Sequence, residues 1–364
     1  TKYETIAASA SPDDHRVRGT LQFYGANRTG RWAGRLLQVQ NLPRTYLDHQ
    51  AEWRSIVKLH DPEALALLTD NVSDTLSQLI RTALVPGEGC TFVDADFSAI
   101  EARLIAWLAG EEWVLDVFRT TGKIYEATAA RIFGIPFDSI VKGNPNYKYR
   151  QRGKVATLAL GYQGGVGAMK RMGGDQLGLD DDGLQDIVNR WRRQNPSICK
   201  LWRRMQDAAV HTICTGRTTQ PRAGVVFRKE VSPGFPFPFL TLQLPSGRKL
   251  FYADPGTTPD DRITYKEWDN GGWREAETYG GKLTENLTQA VGRDCLAFAL
   301  DNLRRAGYQV VFHVHDEVII ELPTTQDAEA ALDSVVRIMS IVPPWAEGLP
   351  LNAAGWYGDF FTKD

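Results

Sequence analysis

Residues 91–97 (TFVDADF) read as a strand, and residues 98–109 (SAIEARLIAWLA) carry Ile100, Leu104 and Leu108 at helical spacing. Asp96 falls at the junction of the two. Segments 124–134 and 149–160 are helical in composition, as is 183–211 apart from its Asn195-Pro196 break, so a mostly helical middle is expected. From 308 to 322 (YQVVFHVHDEVIIEL), β-branched and aromatic residues flank a polar His-Asp-Glu. That pattern predicts two strands joined by a tight turn, with Asp316 at its tip. The Gly-, Pro- and Thr-rich stretch 217–238 and the stretch 253–262 (ADPGTTPDDR) predict loops between strands. No repeat or low-complexity tract interrupts the chain.

A chain of 364 residues with 43% apolar residues buries a large core and suggests two or three lobes. No stretch approaches the roughly 18 uninterrupted apolar residues of a membrane span. The opening TKYETIAASASPDD lacks the basic-then-apolar order of a signal peptide, so a cytoplasmic chain away from membranes is expected. Cys90, Cys199, Cys214 and Cys295 are scattered, which indicates neither a disulfide framework nor a zinc site. A formal net charge of −2 argues against indiscriminate nucleic-acid binding. Distribution says more than the sum: Lys148, Arg150, Arg152 and Lys154 form one basic cluster, followed by RWRR (190–193) and KLWRR (200–204). The two later clusters read as solvated helix faces.

Phosphoryl transfer uses two cations about 3.5–4 Å apart, each wanting carboxylate oxygens. Asp96 at a strand end and Asp316 at a hairpin tip are candidates if their strands are neighbours in one sheet, which spacing alone leaves open. A lone Asp at either place is otherwise a cap or turn residue. In RQRGKVATLALGY, Arg150, Lys154, Leu158 and Tyr162 stand four apart, so a continuous helix aligns them on one basic face ending in a tyrosine. Gly153, Thr157 and Gly161 form a second, small-residue stripe that would admit another backbone or a flat base pair, or serve as a packing seam. Ser98-x-x-Glu101 has the spacing of a helix capping box.

Taken in order, Asp96-Phe-Ser-Ala-Ile-Glu101-Ala-Arg103, Arg150-x3-Lys154-x7-Tyr162 and His315-Asp316-Glu317 resemble motifs A, B and C of the family A DNA polymerases. The resemblance extends to Thr29-Gly-Arg31 followed by Gln40-Asn-Leu-Pro43, to IYEATAARIFGIP (124–136), and to Glu285-Asn-x2-Gln289-Ala-x3-Asp294. LPSGRKLFY (244–252) and YGGKLTENLTQA (279–290) further resemble the phage and prophage branch.

The resemblance implies an α+β right-hand fold: a palm built on an antiparallel sheet, a helical fingers lobe, and a largely absent thumb. Residues 21–118 and 236–364 would be palm, 119–235 fingers, and 1–20 the remnant of a thumb helix. It implies that Asp96, Asp316 and Phe97 form the site of two Mg2+ ions, with Mn2+ as substitute, and that Glu317 is auxiliary. Catalytic Lys154, with Arg150, would meet the triphosphate of a deoxynucleotide. Leu158, Tyr162, Glu101 and Phe97 would line its pocket, Glu101 and Tyr162 excluding ribonucleotides. Arg31, Gln40, Gln289, His315 and Arg81 would contact primer-template DNA, His315 at the primer end.

Leu158 stands where the family usually has phenylalanine or tyrosine, and Tyr125 where histidine is common. Only 28 residues precede Thr29, where the family has a thumb and usually an exonuclease. The expectation is therefore synthesis without proofreading in this chain, weak salt-sensitive DNA binding, and a separate thumb or exonuclease segment or a processivity factor as partner. A single-subunit RNA polymerase and a non-catalytic DNA-binding module are the competing readings; Glu101 argues against the first and the retained motif residues against the second.

Overall fold

The computed structural model describes residues 1–269 and 271–363. Its first ninety residues form α1 (Lys2–Ser9), the short strands β1 (Leu21–Gln22) and β2 (Ala33–Gly34), then α2 (Gln50–Lys58), α3 (Pro62–Leu68) and α4 (Val72–Leu79). Local signals start these helices: a Thr1/Glu4 capping box at α1, Asp61 followed by Pro62 at α3, and Asn71 at α4. Next come β3 (Cys90–Phe97), α5 (Ile100–Ala109), α6 (Glu112–Thr120), α7 (Ile124–Phe133), α8 (Lys148–Leu160), α9 (Val166–Arg171), α10 (Asp181–Gln194) and α11 (Pro196–Thr215). Six strands follow, β4 (Thr219–Arg222), β5 (Val225–Glu230), β6 (Phe239–Gln243), β7 (Lys249–Thr257), β8 (Ile263–Asp269) and β9 (Gly272–Thr278). The chain continues through α12 (Gly280–Arg305), β10 (Val310–Val314), β11 (Glu317–Pro323), α13 (Ala328–Met339) and β12 (Ala353–Gly358).

The chain divides into two compact units. One comprises Thr1–Ser98, Leu296–Ile341 and Asn352–Asp364. Its sheet has the order β10-β11-β3-β12, every pair antiparallel, with α13 packed on β3 and β12. β11 is interior and buried along all but its last residue, which its VIIEL run makes favourable. β12 lies so close to β3 that a Cβ on Gly355 would stand 1.9 Å from the Asp94 carbonyl oxygen, so only glycine fits there. Leu37, Ile80, Phe92, Ile319 and Phe361 form part of this unit's core.

The second unit comprises Ala99–Cys295 and Val342–Leu351. Its helices α7, α8, α10 and α11 share a core containing Val155, Leu160, Ile187, Trp191 and Trp202, the two indoles stacked at 6.2 Å. Strands β4 to β9 pair in sequence order as an antiparallel meander.

That meander corrects two expected loops. β4 and β5 occupy most of 217–230, because Val225 and Phe227 alternate inward with Val226 and Arg228 outward. The turn residues fall in a tight Arg222–Val225 connection and in 231–238, which lies between β5 and β6 outside any strand. β7 runs to Thr257, with Pro255 inside a register shift between Ala253 and Gly256, a bulge that tolerates proline within a strand. The Ser98/Glu101 capping box is displaced as well: Ala99, in left-handed conformation, holds the N-cap of α5.

Candidate active site

In the first unit, β3 ends at Asp96-Phe97, and antiparallel pairing sets Glu317 of β11 directly opposite Asp96. Asp316 lies in the turn one residue earlier, beside His315, whose φ of 55° is left-handed. The Phe97 amide donates to the Asp316 carbonyl at 3.2 Å, tying that turn to the end of β3. The adjacency that spacing left open is thus supplied by strand register.

Two residues not singled out from the sequence complete this cluster. Asp94, two positions before Asp96 and so on the same face of β3, is 2% exposed. Burial, then the neighbouring Glu317 charge, pushes its carboxyl up to about 10, so it is protonated at neutral pH. Lys363, beyond β12, sets its Nζ 2.9 Å from Glu317 Oε2 and 3.3 Å from Asp96 Oδ2. Burial opposes its charge, but Glu317 and Asp96 outweigh that and raise its pKa. Asp316 is pushed up to about 7, chiefly by burial and next by Asp96, while Lys363 and Arg31 act the other way. Asp96 Oδ1 and Asp94 Oδ2 are buried without a hydrogen-bond partner.

The other expected residues of this unit are spread more widely. His315 is exposed, and the Gln40 side chain packs against the backbone at Gly34. Arg81 is buried: its Nε and one Nη donate to the carbonyls of Pro43 and Leu42 at 2.9 and 2.6 Å, and its guanidinium lies 5.6 Å from the Phe361 ring. That placement gives Arg81 a structural part, binding the 42–43 segment to the turn after α4.

In the second unit, α8 buries Gly153, Val155, Ala156, Ala159 and Leu160 and turns Arg150, Lys154 and Leu158 to its more open side. Leu158 is 46% exposed. The Arg150 Nε donates to Glu126 Oε1 of α7 at 2.7 Å, and this bond raises the guanidinium pKa further. The Arg150 head also lies 5.5 Å from the Tyr125 ring. Lys154 forms no hydrogen bond or ion pair among the described residues. Gly153 takes the close contact its size allows: a Cβ there would meet the Tyr125 carbonyl oxygen at 2.1 Å. The stripe is therefore, at Gly153, a seam for another backbone.

The Tyr162 hydroxyl donates to Glu101 Oε2 at 3.0 Å. Burial, then the Glu101 charge, raises the phenol well above its ordinary value, so it stays a proton donor. Gln289, on α12, bonds to Glu285 one turn earlier at 3.4 Å. Among the described residues, no three His, Cys, Asp or Glu side chains form a ready metal cage. Magnesium sites commonly combine one or two carboxylates with water and substrate phosphates, a pattern two acids satisfy. No helix among the described residues is long and apolar enough to cross a membrane.

The family model for DNA polymerase family A matches residues 1–223. The chain is 48% identical, over its full length and 55% of the relative's, to the DNA polymerase of Bacillus phage SP02. It is 38% identical to the thermostable DNA polymerase I of Thermus aquaticus over 77% of this chain and 28% of that one. The chain thus spans about half, or less, of the length of these curated relatives. Among solved structures, the POL domain of Pol1 from M. smegmatis, in complex with DNA primer-template and dNTP, aligns with a TM-score of 0.63. That alignment covers 98% of this chain and 50% of the other at 18% identity, a likeness of fold. With more than half its length matched by the family model, the chain belongs to DNA polymerase family A.

Proposed function

We propose that this chain is the catalytic core of a template-directed DNA polymerase, extending a primer 3′ end with deoxynucleoside triphosphates and releasing pyrophosphate. The observation that carries the reading is the register of Asp96 against Glu317, with Asp316 in the adjoining turn. Family membership supports it. In this reading 21–118 and 236–364 act as palm, 119–235 as fingers and 1–20 as a thumb remnant, a functional division that cuts the chain elsewhere than its two compact units do. It would work on primer-template DNA in the cytoplasm of a bacterial or phage-infected cell, with a processivity factor as a further partner.

The acidic cluster fits divalent metal: Asp96 Oδ1 and Asp94 Oδ2 are orphaned, and Asp96 and Glu317 already attract the Lys363 ammonium. Hard carboxylate oxygens suit magnesium. Asp96 and Asp316 would hold two Mg2+ ions, or Mn2+ in their place, with Phe97 completing the site and Glu317 auxiliary. The chemistry such ions supply when bound is activation of the primer hydroxyl and neutralisation of the leaving pyrophosphate.

Lys154 and Arg150 would meet the triphosphate, fixed positive charge offsetting the charge that grows on its leaving end. Leu158 continues that face. Glu101, held by Tyr162, would close the space at the sugar 2′ position and so turn away ribonucleotides. Arg31 and Gln289 would touch minor-groove acceptors shared by all base pairs, checking geometry without reading sequence. His315 would contact the primer end.

Extension of a primed template in Mg2+ tests the reading directly. It should be robust in the wild type and lost in both Asp96→Ala and Asp316→Ala. Extension that persists in either variant, or a wild type that binds primed DNA but never extends it, would sink it.

A further inference from the structure

The KLWRR segment reads from sequence as a solvated helix face, but the structure gives it a partner from another element. Lys200, Arg203 and Arg204 stand at i, i+3 and i+4 on α11, all exposed, and with Ala109 and Ser197 line an open pocket of about 410 Å³. Arg222 comes up from β4, its guanidinium 4.3 Å from the Trp107 ring of α5. One of its Nη atoms is buried and has no hydrogen-bond partner. Burial, and then repulsion from Arg204, lowers the Arg222 pKa, so these cations feel one another.

Several arginines of this chain are matched with acids: Arg119 with Glu112 and Asp116, Arg190 with Asp186, Arg304 and Arg305 with Asp301. Among the described residues, Lys200, Arg203, Arg204 and Arg222 form no ion pair or hydrogen bond. Glu111 is near enough to feel Lys200, but its Oε2 accepts the amides of Ser197 and Ile198 at 2.8 and 3.2 Å. Three cations lining one pocket, with Arg222 close enough to Arg204 to be repelled by it, form a positive patch that a polyanionic ligand would neutralise.

We propose that this pocket is a phosphate-binding site, distinct from the basic face of α8, which takes the backbone of the unpaired template strand. A concave pocket suits a single flexible strand, and contacts of this kind add affinity without reading sequence. Among the described residues no aromatic side chain lines it, and the Trp107 indole is covered by Arg222, so recognition rests on phosphate charge rather than base stacking.

The inference rests on the polymerase reading, and its test separates the two. Fluorescence anisotropy would compare a blunt duplex with the same duplex carrying a 5′ template overhang, for wild type and for Lys200→Gln/Arg203→Gln/Arg204→Gln. The variant should bind overhang DNA at least about 10-fold more weakly at low salt, and its salt slope should fall by about 2, three contacts at roughly 0.7 each. Its blunt-duplex affinity and its Mg2+-dependent extension at saturating DNA should persist. Should the triple variant fold poorly, Arg203→Gln and Arg204→Gln alone should each cost about 2-fold on overhang DNA, an equal share of a three-charge effect of about 10-fold. Arg304→Gln/Arg305→Gln, removing paired exposed charges, should change nothing.

Unchanged overhang binding, or equal loss on blunt and overhang DNA, overturns the inference while leaving the polymerase reading intact. Loss of pyrophosphate binding by calorimetry with unchanged DNA binding assigns the pocket to a free anion and likewise overturns it. A wild type that neither extends nor binds overhang DNA overturns both.

Discussion

The Tyr162 hydroxyl holds the Glu101 carboxylate by a 3.0 Å hydrogen bond that spans 61 residues of sequence. The phenol cannot ionise near neutral pH, so it always donates, and the carboxylate is fixed in one orientation. A fixed acid can exclude a larger sugar; a mobile one would yield to it. Glu101→Ala should therefore raise ribonucleotide incorporation by roughly 10- to 200-fold relative to deoxynucleotide, the range over which pocket size discriminates. Competition between the two nucleotides in single-step primer extension measures it. Unchanged sugar selectivity would remove Glu101 from this part.

Lys363 reaches both Asp96 and Glu317 with one ammonium group. Removing it leaves two acids facing each other across β3 and β11. Because the Lys363 side chain is a quarter exposed, the loss is smaller than for a sealed pair, about 1–2 kcal/mol. Lys363→Met should lower the melting temperature in EDTA, and millimolar Mg2+ should restore more of it than it adds to the wild type. Equal Mg2+ shifts in the two proteins would show that the ammonium does not offset the same charge.

Much of this site was legible because its signals are local. The strand ending at Asp96, the hairpin around Asp316 and the basic helix α8 each follow from periodicity within a dozen residues. The pairing of β3 with β11 joins positions more than 200 residues apart, and no local pattern encodes a register of that kind. Asp94 did have a signal: its two-residue spacing from Asp96 sets both on one face of any strand. An acid amid alternating apolar residues, however, reads as the outward position, and β3 has no outward face: α13 packs on it, and Phe92, on the face of Asp94, joins the core of Leu37, Ile80 and Phe361. Lys363 lies past the last strand, where no period predicts its direction. Arg81 and the strands β4 and β5 show the same limit, burial and register being properties of the assembled fold.

Gly153 and Gly161 belong to one stripe of α8 but differ in what they face. A Cβ on Gly153 would stand 2.1 Å from a backbone oxygen of α7, which cannot move without the helix; one on Gly161 would meet only the end of the Ile105 side chain at 3.4 Å. Gly153→Ala should destabilise the chain by about 1–3 kcal/mol through overpacking. Gly161→Ala should be within about 1 kcal/mol of neutral, the gain in backbone restriction set against a small side-chain shift. Urea unfolding of the two variants checks the contrast, and equal effects would contradict the close α7–α8 approach.

Glu111 gives a pH dependence away from the acidic cluster. It is 5% exposed and accepts two amides at the start of α11, where the helix dipole also favours negative charge. Burial nevertheless prevails and holds its pKa above 4.5 in the folded chain. The folded state therefore binds this proton more tightly than the unfolded state does. Its contribution to stability is complete below pH 4.5 and is lost as pH rises through the raised value. Glu111→Gln keeps an acceptor oxygen for the Ser197 and Ile198 amides and removes the charge. The variant should gain stability over the wild type progressively from pH 4.5 upward, levelling once the pH has passed the raised value. Urea midpoints at half-unit steps measure this, and a difference that is constant across the window, or reversed in sign, would show that the amide bonds and the dipole outweigh burial at this carboxylate.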